Sequence, residues 1–486
     1  MHIHEEAARC LLCQDAPCTK ACGKGDPARA LRAIRFKNET IALRWLDGCS
    51  DEDLERAEDA CIHYDRAIRI REVAKQLREA RAQSGNTEAA GPHPSLAIDF
   101  CGIRCENPFF LASSAVCTNY EMVARAFEAG WGGVFYKTIC LQEINEVSPR
   151  FDAVGKPFMG FRNMEQLSEN PVDVDFDILR RLKQNYPSKI VVASIMGQRE
   201  EEWIELAKMA EQAGCDAVEL NFSCPQMRLS GMGSDVGQDP ELVTFYTAFV
   251  KRSVKIPVIP KMTPNITHIS QPAMGAYFAG ADAISAINTI KSVTLGEGSE
   301  VNGCQTGSGY SGAAVKPIAL RHILAMAKNP IMKNIQFSGI GGIETWRDAL
   351  EFIQLGCNNV QVCTAVMQYG YRIIDDLTLG LQTYMAQRGV TNLADLVGEL
   401  LPKFYMPSDL DRTTVVFPKF DRSKCIGCGR CAISCADGGH QAIRFDAESR
   451  QPQLIGSKCV GCHLCRLVCP ADAIGLSKRV PKNKTA

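Results

Sequence analysis

Eight cysteines near the end of the chain form two copies of one spacing. Cys425, Cys428, Cys431 and Cys435 read C-x2-C-x2-C-x3-C, and Cys459, Cys462, Cys465 and Cys469 repeat it, the last followed by Pro470. Three thiolates this close together wrap one iron–sulfur cube, and in two-cluster modules the fourth ligand of each cube crosses from the other copy. The spacing therefore predicts one 4Fe-4S cluster on Cys425, Cys428, Cys431 and Cys469, and a second on Cys459, Cys462, Cys465 and Cys435. The alternative is a pair of structural zinc sites, which usually space their thiolates as two CxxC pairs across a longer loop.

A further group lies at the other end. Cys10, Cys13, Cys18 and Cys22 read C-x2-C-x4-C-x3-C, and Cys49 and Cys61 follow in a helical, charge-rich stretch. A third iron–sulfur cluster, a zinc ion and a metal-free docking helix are the readings this spacing leaves open. Cys49 and Cys61 also read as small buried apolar side chains. Of 23 cysteines in 486 residues, eight fall between Cys425 and Cys469 and six at or before Cys61, so the ends differ from the middle. The start Met1-His2-Ile3-His4-Glu5-Glu6 carries neither a basic region nor an apolar run, and no stretch approaches the roughly eighteen apolar residues of a membrane span. A cytoplasmic protein is expected, and in that reducing compartment so many cysteines point to metal or redox chemistry, not to disulfides. Lys and Arg number 54 against 55 Asp and Glu, with no basic block, which disfavours nucleic acid as a partner. With 46% apolar residues, the chain can bury a large core.

The elements that must position a site lie between these ends. From about residue 95 to 380, eight short β-rich apolar runs alternate with amphipathic stretches, the pattern of βα units around a parallel sheet. They end near Ser113, Lys137, Ile195, Asn221, Lys261, Asn288, Ser338 and Cys363. Eight such units predict an α/β fold, a (β/α)8 TIM barrel, whose active site is built at the C-terminal ends of the strands. Polar residues sit there: Ser113, Lys137 and Thr138, Asn221 and Ser223, Lys261, and Asn288 and Thr289 close the runs instead of interrupting them. After the seventh run comes Gly339-Ile340-Gly341-Gly342, and after the eighth Cys363-Thr364, the usual place for a phosphate in such a barrel. No convincing dinucleotide fingerprint or P-loop is present. Clusters pass one electron at a time, so two-electron chemistry beside them needs a cofactor that manages both. Flavin mononucleotide, with its single phosphate, fits.

The segment Glu219-Leu220-Asn221-Phe222-Ser223-Cys224-Pro225 resembles the N-x-S-C-P signature of the dihydroorotate and dihydropyrimidine dehydrogenase flavin barrels. Lys137-Thr138, Val147-Ser148-Pro149-Arg150, Asn163-Met164-Glu165, Lys261-Met262-Thr263-Pro264-Asn265, Ile287-Asn288-Thr289, Ser311-Gly312 and Ile340-Gly341-Gly342 are similar to the same family. The appended eight-cysteine module points to the dihydropyrimidine dehydrogenase family, and the lack of FAD and NADPH domains points to the catalytic subunit of its bacterial two-subunit form. The resemblance implies an NAD-dependent enzyme that reversibly reduces uracil or thymine. Hydride passes from FMN to C6, a proton passes from Cys224 to C5, and a partner subunit carries FAD and NAD. A homodimer or heterotetramer is implied.

By that resemblance Ser113, Lys137, Thr138, Lys261, Gly312, Ile340, Gly341, Gly342, Cys363 and Thr364 line the FMN, with Lys261 stabilising negative charge on the reduced ring. Asn163, Glu165, Asn221, Phe222, Ser223, Asn288 and Thr289 meet the pyrimidine, whose edge alternates carbonyl acceptors and N–H donors. A thiol of ordinary pKa, about 8.5, is mostly protonated at neutral pH and can serve as the acid Cys224 is expected to be. Two departures stand out. Gln226 occupies a position where the long enzymes carry histidine. The family's additional N-terminal ligands are missing, so Cys10, Cys13 and Cys18 with a distal fourth ligand follow it more closely than four consecutive cysteines.

The expected organisation is a helical module at 1–85, a polar link over Arg81 to Pro94, the barrel at 95–385, a connector at 386–414, the ferredoxin-like module at 415–478 and a disordered tail from Lys478. The segment from Met227 to Gly237, with Gly231, Gly233 and Gly237, reads as a mobile lid over Cys224. Three other functions fit parts of the pattern: a dihydroorotate dehydrogenase, a reductase of another conjugated ring, and a non-catalytic electron-transfer subunit.

Overall fold

The structure of the protein, a computed structural model, describes residues 3–84, 93–154, 160–225, 227, 231–295, 300–301, 304–405 and 407–482. Gln226, much of the polar link, part of the 227–237 segment and the last residues of the tail lie outside the described residues. Two compact units form, one running to Leu401 and one beginning at Pro402.

Within the first unit eight parallel strands close a barrel in chain order. They are β1 (Phe109–Leu111), β2 (Gly133–Phe135), β3 (Ile190–Ile195), β4 (Ala217–Asn221), β5 (Val258–Met262), β6 (Ala283–Ala286), β7 (Gln336–Ile340) and β8 (Cys357–Val362). The fold class expected from the sequence is the one observed. Sequences such as Ile190-Val191-Val192-Ala193-Ser194-Ile195 read as continuous apolar runs because a parallel barrel strand is covered on both faces, and every residue of β3 is buried. Helices begin where local chemistry allows. Asn119 caps the helix Tyr120–Ala129 by accepting from Met122 N at 2.9 Å, and Thr345 with Asp348 forms a reciprocal capping box at Trp346–Gln354.

The register decides which side chains meet inside the barrel. Ser194 of β3 lies opposite Glu219 of β4, Asn221 of β4 opposite Lys261 of β5, and Lys261 opposite Ser285 of β6. Since alternate residues of a strand face the same way, these polar groups share the barrel interior. A four-stranded antiparallel sheet, unforeseen in the sequence, adds Phe151–Val154, Gly160–Asn163, Ile290–Ser292 and Ser308–Ser311, drawn from the segments that follow β2 and β6.

The N-terminal helices, from Ile3–Arg9 to Ile70–Ser84, belong to the same compact unit as the barrel. Arg32 Nε donates to Asp376 Oδ2 at 2.6 Å, Asn38 Nδ2 to Asp376 O at 2.8 Å, and Trp346 Nε1 to Lys37 O at 3.0 Å. The stretch to Leu401 also packs on the barrel, with Gly398 N donating to Ile353 O at 3.0 Å and Leu400 N to Gln354 O at 3.1 Å. The second unit holds three two-stranded ribbons and the helices Arg430–Gly438 and Leu464–Leu467. No helix among the described residues is long and apolar enough to cross a membrane.

Candidate active site and cluster sites

A cavity of about 1020 Å³ opens at the C-terminal end of the barrel strands. All ten positions expected to line a flavin border it: Ser113, Lys137, Thr138, Lys261, Gly312, Ile340, Gly341, Gly342, Cys363 and Thr364. So do Asn163, Glu165, Asn221, Cys224, Asn288 and Thr289. Phe222 and Ser223 do not. Strand alternation turns Phe222 outward, where its ring lies 5.1 Å from that of Trp203, and Ser223 is fully buried behind the asparagines.

The two lysines are buried and each has a carboxylate. Lys137 pairs with Glu165, which also accepts from Arg150 Nη1 at 2.9 Å, so Glu165 is held between two cations. Lys261 lies 3.6 Å from Glu219, a carboxylate with no solvent exposure. Asn221 Nδ2 donates to Thr138 Oγ1 at 2.9 Å and its Oδ1 accepts from Ser223 Oγ at 2.8 Å, while Asn288 Nδ2 donates to Ser223 Oγ at 3.0 Å. These bonds fix both amides against the barrel. Cys224 is buried at the cavity wall, and its carbonyl accepts from Ser234 N at 2.9 Å. Gly233, at φ +57°, permits that return, since a Cβ there would stand 2.4 Å from Cys224 O.

The phosphate end is formed by backbone. Gly341 and Gly342 adopt φ +129° and +73°, and a Cβ on Gly342 would lie 2.8 Å from Gly312 O and 2.9 Å from Lys316 N. Thr364 opens the helix Thr364–Tyr369 beside this turn. The donor set fits FMN: a helix start and a glycine turn for a phosphate, hydroxyls for a polyol, and ammonium groups beside a ring. Gln361, on the cavity wall, has a buried Oε1 without an intramolecular partner, an acceptor that a bound ring N–H would satisfy. Burial pushes the Cys363 thiol up and Glu344, another cavity residue, up to about 7, with Asp348 adding to the rise. Sequence reasoning missed Gln361, Glu344, Tyr310 and Phe161. Gln361 reads only as a polar residue inside an apolar run, and Tyr310 and Phe161 arrive on the unforeseen antiparallel sheet.

In the second unit a void of about 340 Å³ gathers Cys435, Cys459, Cys462 and Cys465, three thiols of one copy and one of the other. Cys431 lies within electrostatic reach of Cys425 and Cys428. Two backbone donors reach thiols: Ala442 N to Cys435 Sγ at 3.2 Å and Ala473 N to Cys469 Sγ at 3.4 Å. In the N-terminal helices a void of about 380 Å³ is lined by Cys10, Cys13, Cys18 and Cys61. Cys22 does not line it; its Sγ lies 3.5 Å from that of Cys49. Among the described residues, no three His, Cys, Asp or Glu side chains stand close enough for a single metal ion. A cube holds its thiolates at its corners, farther apart than the ligands of one ion.

A closed parallel barrel with a lysine- and cysteine-lined cavity at its C-terminal mouth, followed in the chain by a unit with two copies of a cluster-type cysteine motif, defines an oxidoreductase of the dihydroorotate dehydrogenase class. Residues 95–385 match the dihydroorotate dehydrogenase family, and residues 419–476 match the 4Fe-4S dicluster domain. The chain is 50% identical over 392 residues, 79% of its length and 95% of the relative's, to the NAD-dependent dihydropyrimidine dehydrogenase subunit PreA of Escherichia coli strain K12. It is 38% identical over 345 residues, 67% of its length and 81% of the relative's, to the chloroplastic dihydropyrimidine dehydrogenase (NADP(+)) of Arabidopsis thaliana. Among solved structures, DHODH from Eimeria tenella in complex with ferulenol shares the fold, with a TM-score of 0.54 at 18% identity over 68% of this chain and 95% of that one. The chain belongs to the dihydropyrimidine dehydrogenase family.

Proposed function

We propose that the chain is the catalytic subunit of a dihydropyrimidine dehydrogenase. It reversibly reduces uracil and thymine to their 5,6-dihydro forms and exchanges electrons through its clusters with a separate subunit that carries FAD and binds NAD. The observation that carries this reading is the convergence of Cys224, Asn163, Asn221, Asn288, Thr289 and Glu165 on one cavity with Lys137 and Lys261. Identity of 50% to a dihydropyrimidine dehydrogenase subunit over most of both chains supports it.

Gly341, Gly342 and Thr364 would hold the phosphate of FMN, and Lys137, Lys261, Ser113 and Gln361 would face its ring. Bound there, FMN supplies the hydride for C6 of the pyrimidine and accepts it in the oxidative direction. The rest is the work of this chain's own side chains. Cys224 gives its proton to C5, and its thiolate takes that proton back in reverse. Asn221 and Asn288 offer amide N–H groups to the ring carbonyls, and Glu165, held by Lys137 and Arg150, accepts from a ring N–H. Lys261 compensates the negative charge that reduction brings to the pocket. The eight C-terminal cysteines hold two 4Fe-4S clusters, with Cys435 and Cys469 crossing between copies, and Cys10, Cys13, Cys18 and Cys61 hold a third.

The test is anaerobic purification with quantitation of iron, sulfide and flavin, followed by dihydrouracil while flavin absorbance is recorded. Bleaching of the flavin with iron near ~12 per chain is the expected result, since each cube carries ~4 iron atoms. Bleaching by dihydroorotate instead, or no response to any dihydropyrimidine, overturns the substrate assignment, and iron near ~8 removes the third cluster.

A further inference from the structure

A continuous line of hydrogen bonds joins the buried carboxylate of Glu219 to the asparagines of the cavity. Ser194 Oγ donates to Glu219 Oε1 at 2.9 Å, and Thr138 Oγ1 lies 2.9 Å from Ser194 Oγ. Asn221 Nδ2 follows at 2.9 Å from Thr138 Oγ1, Ser223 Oγ at 2.8 Å from Asn221 Oδ1, and Asn288 Nδ2 at 3.0 Å from Ser223 Oγ. Glu219, Ser194 and Ser223 have no solvent exposure, and Thr138 and Asn221 are buried at the cavity wall, so the inner half of the line is shielded from solvent.

Each hydroxyl carries one proton, which gives the line a direction. Paired with the ammonium of Lys261, Glu219 is an acceptor on both oxygens, taking Ser194 on Oε1 and Ser285 Oγ on Oε2 at 2.6 Å. The single proton of Ser194 is therefore committed to Glu219, so Thr138 must donate to Ser194. With its own proton committed, Thr138 can only accept from Asn221, which places the amide nitrogen of Asn221 on Thr138 and its oxygen on Ser223. Ser223 spends its proton on that oxygen and accepts from the nitrogen of Asn288. Ser113, 2.9 Å from Thr138 Oγ1, must also donate inward and so turns lone pairs to the cavity.

We propose that Glu219 is a specificity-determining positioning residue. Ser223 N donates to Asn221 Oδ1 at 3.1 Å and Thr289 N to Asn288 Oδ1 at 2.7 Å, and the charge of Glu219, passed through Ser194 and Thr138, adds to these backbone bonds in holding both amides with N–H donors toward the ring carbonyls of the substrate. The same carboxylate holds Lys261, so one buried group braces both the donor face for the pyrimidine and the ammonium beside the flavin site. The inference rests on the pyrimidine reading above.

The experiment measures uracil binding to oxidised holoenzyme by the perturbation of flavin absorbance. Ser194→Ala cuts the line between Glu219 and Asn221, and weakens uracil about tenfold. Ser285→Ala removes a hydroxyl of the same kind from the same carboxylate, but on the side leading away from Asn221, and leaves uracil affinity within about twofold. Glu219→Gln keeps the shape and adds a donor that lets Ser194 and Thr138 reverse, setting a hydroxyl proton against the amide nitrogen of Asn221; it weakens uracil at least as much as Ser194→Ala while flavin content is retained, and serves if Ser194→Ala does not fold. Equal weakening by the two serine variants, or unchanged affinity in Glu219→Gln, overturns the proposal. If the unaltered holoenzyme shows no uracil perturbation, the pyrimidine reading falls first.

Discussion

The two cysteine-rich ends are built around voids of similar size, yet they stand on different foundations. Around Cys10, Cys13, Cys18 and Cys61 the N-terminal helices bury twenty apolar residues, four of them cysteines, with Leu31, Ile34, Leu46, Leu54 and Val73 at the centre. In the second unit the buried cluster is Cys431, Cys435, Ala442, Ile443, Cys465 and Ile474, half of it cysteine. A region with so small a core cannot offset the entropy of ordering its chain, and metal binding becomes its folding energy. The N-terminal helices fold on apolar burial and on their mooring to the barrel, through bonds such as Arg32 to Asp376. Clusters would therefore serve as scaffold at the C-terminal end, and the third cluster proposed for the N-terminal void would be cargo.

Iron removal is the strongest challenge to that contrast. Anaerobic chelation is expected to unfold the second unit and to leave the N-terminal helices and barrel intact, read by limited proteolysis with mass mapping. Simultaneous loss of protection at both ends would erase the distinction. Single ligands sharpen it. Cys465→Ser should cost about four iron atoms per chain and the protease resistance of the second unit, whereas Cys61→Ser should cost about four iron atoms with the melting transition of the first unit nearly unchanged. A smaller effect is expected from Cys22→Ala. The Cys22 side chain sits beside Cys49 and outside the void, so iron content should hold while stability falls by about 1–2 kcal/mol, measured by denaturant unfolding. Loss of iron in this variant would make Cys22 a ligand and return the site to four consecutive cysteines.

How these regions read in the sequence follows the same physics. The C-terminal dicluster domain was legible because a cube dictates cysteine spacing locally, and the barrel because eight apolar runs ending in polar residues have few other solutions. Lys137, Asn221, Lys261 and Asn288 were legible as strand-end residues. Phe222, which the motif groups with the substrate residues, stands outside the cavity lining, because a motif carries residue types but not the alternation that turns every second side chain away. The grouping of Cys61 with Cys10, and of Cys49 with Cys22, depends on how helices fold back over 51 and 27 residues, for which no local signal exists. Glu219 looked like part of a signature, and only the barrel register places it opposite Ser194 and within reach of Lys261.

The least of the expected effects tests how far the N-terminal helices reach toward the cavity. Glu344 lines the cavity, and its surroundings are Asp348 on its own side, Lys316 from the helix Lys316–Ala327, Tyr369 from the helix Thr364–Tyr369, and Arg35 from the N-terminal helix Pro27–Arg35. Burial raises its carboxyl from the ordinary 4.5 to about 7, Asp348 adds to the rise, and Arg35 and Lys316 oppose it. Below pH 4.5 both folded and unfolded chains carry the proton and no penalty arises. Between 4.5 and about 7 the unfolded chain ionises while the folded one holds its proton, so the stability this proton represents is lost as pH rises. Glu344→Gln removes that loss. Its melting temperature relative to the unaltered protein should therefore be higher at pH 8 than at pH 5, by a gain of about 1–2 kcal/mol after allowing for screening at the cavity wall. Arg35→Ala removes an opposing cation from the other region, and should move the pH at which stability falls upward in the protein that retains Glu344. If Arg35→Ala leaves that pH unchanged, the N-terminal helices touch the barrel without acting on its site, and their bond to the catalytic region is mechanical only.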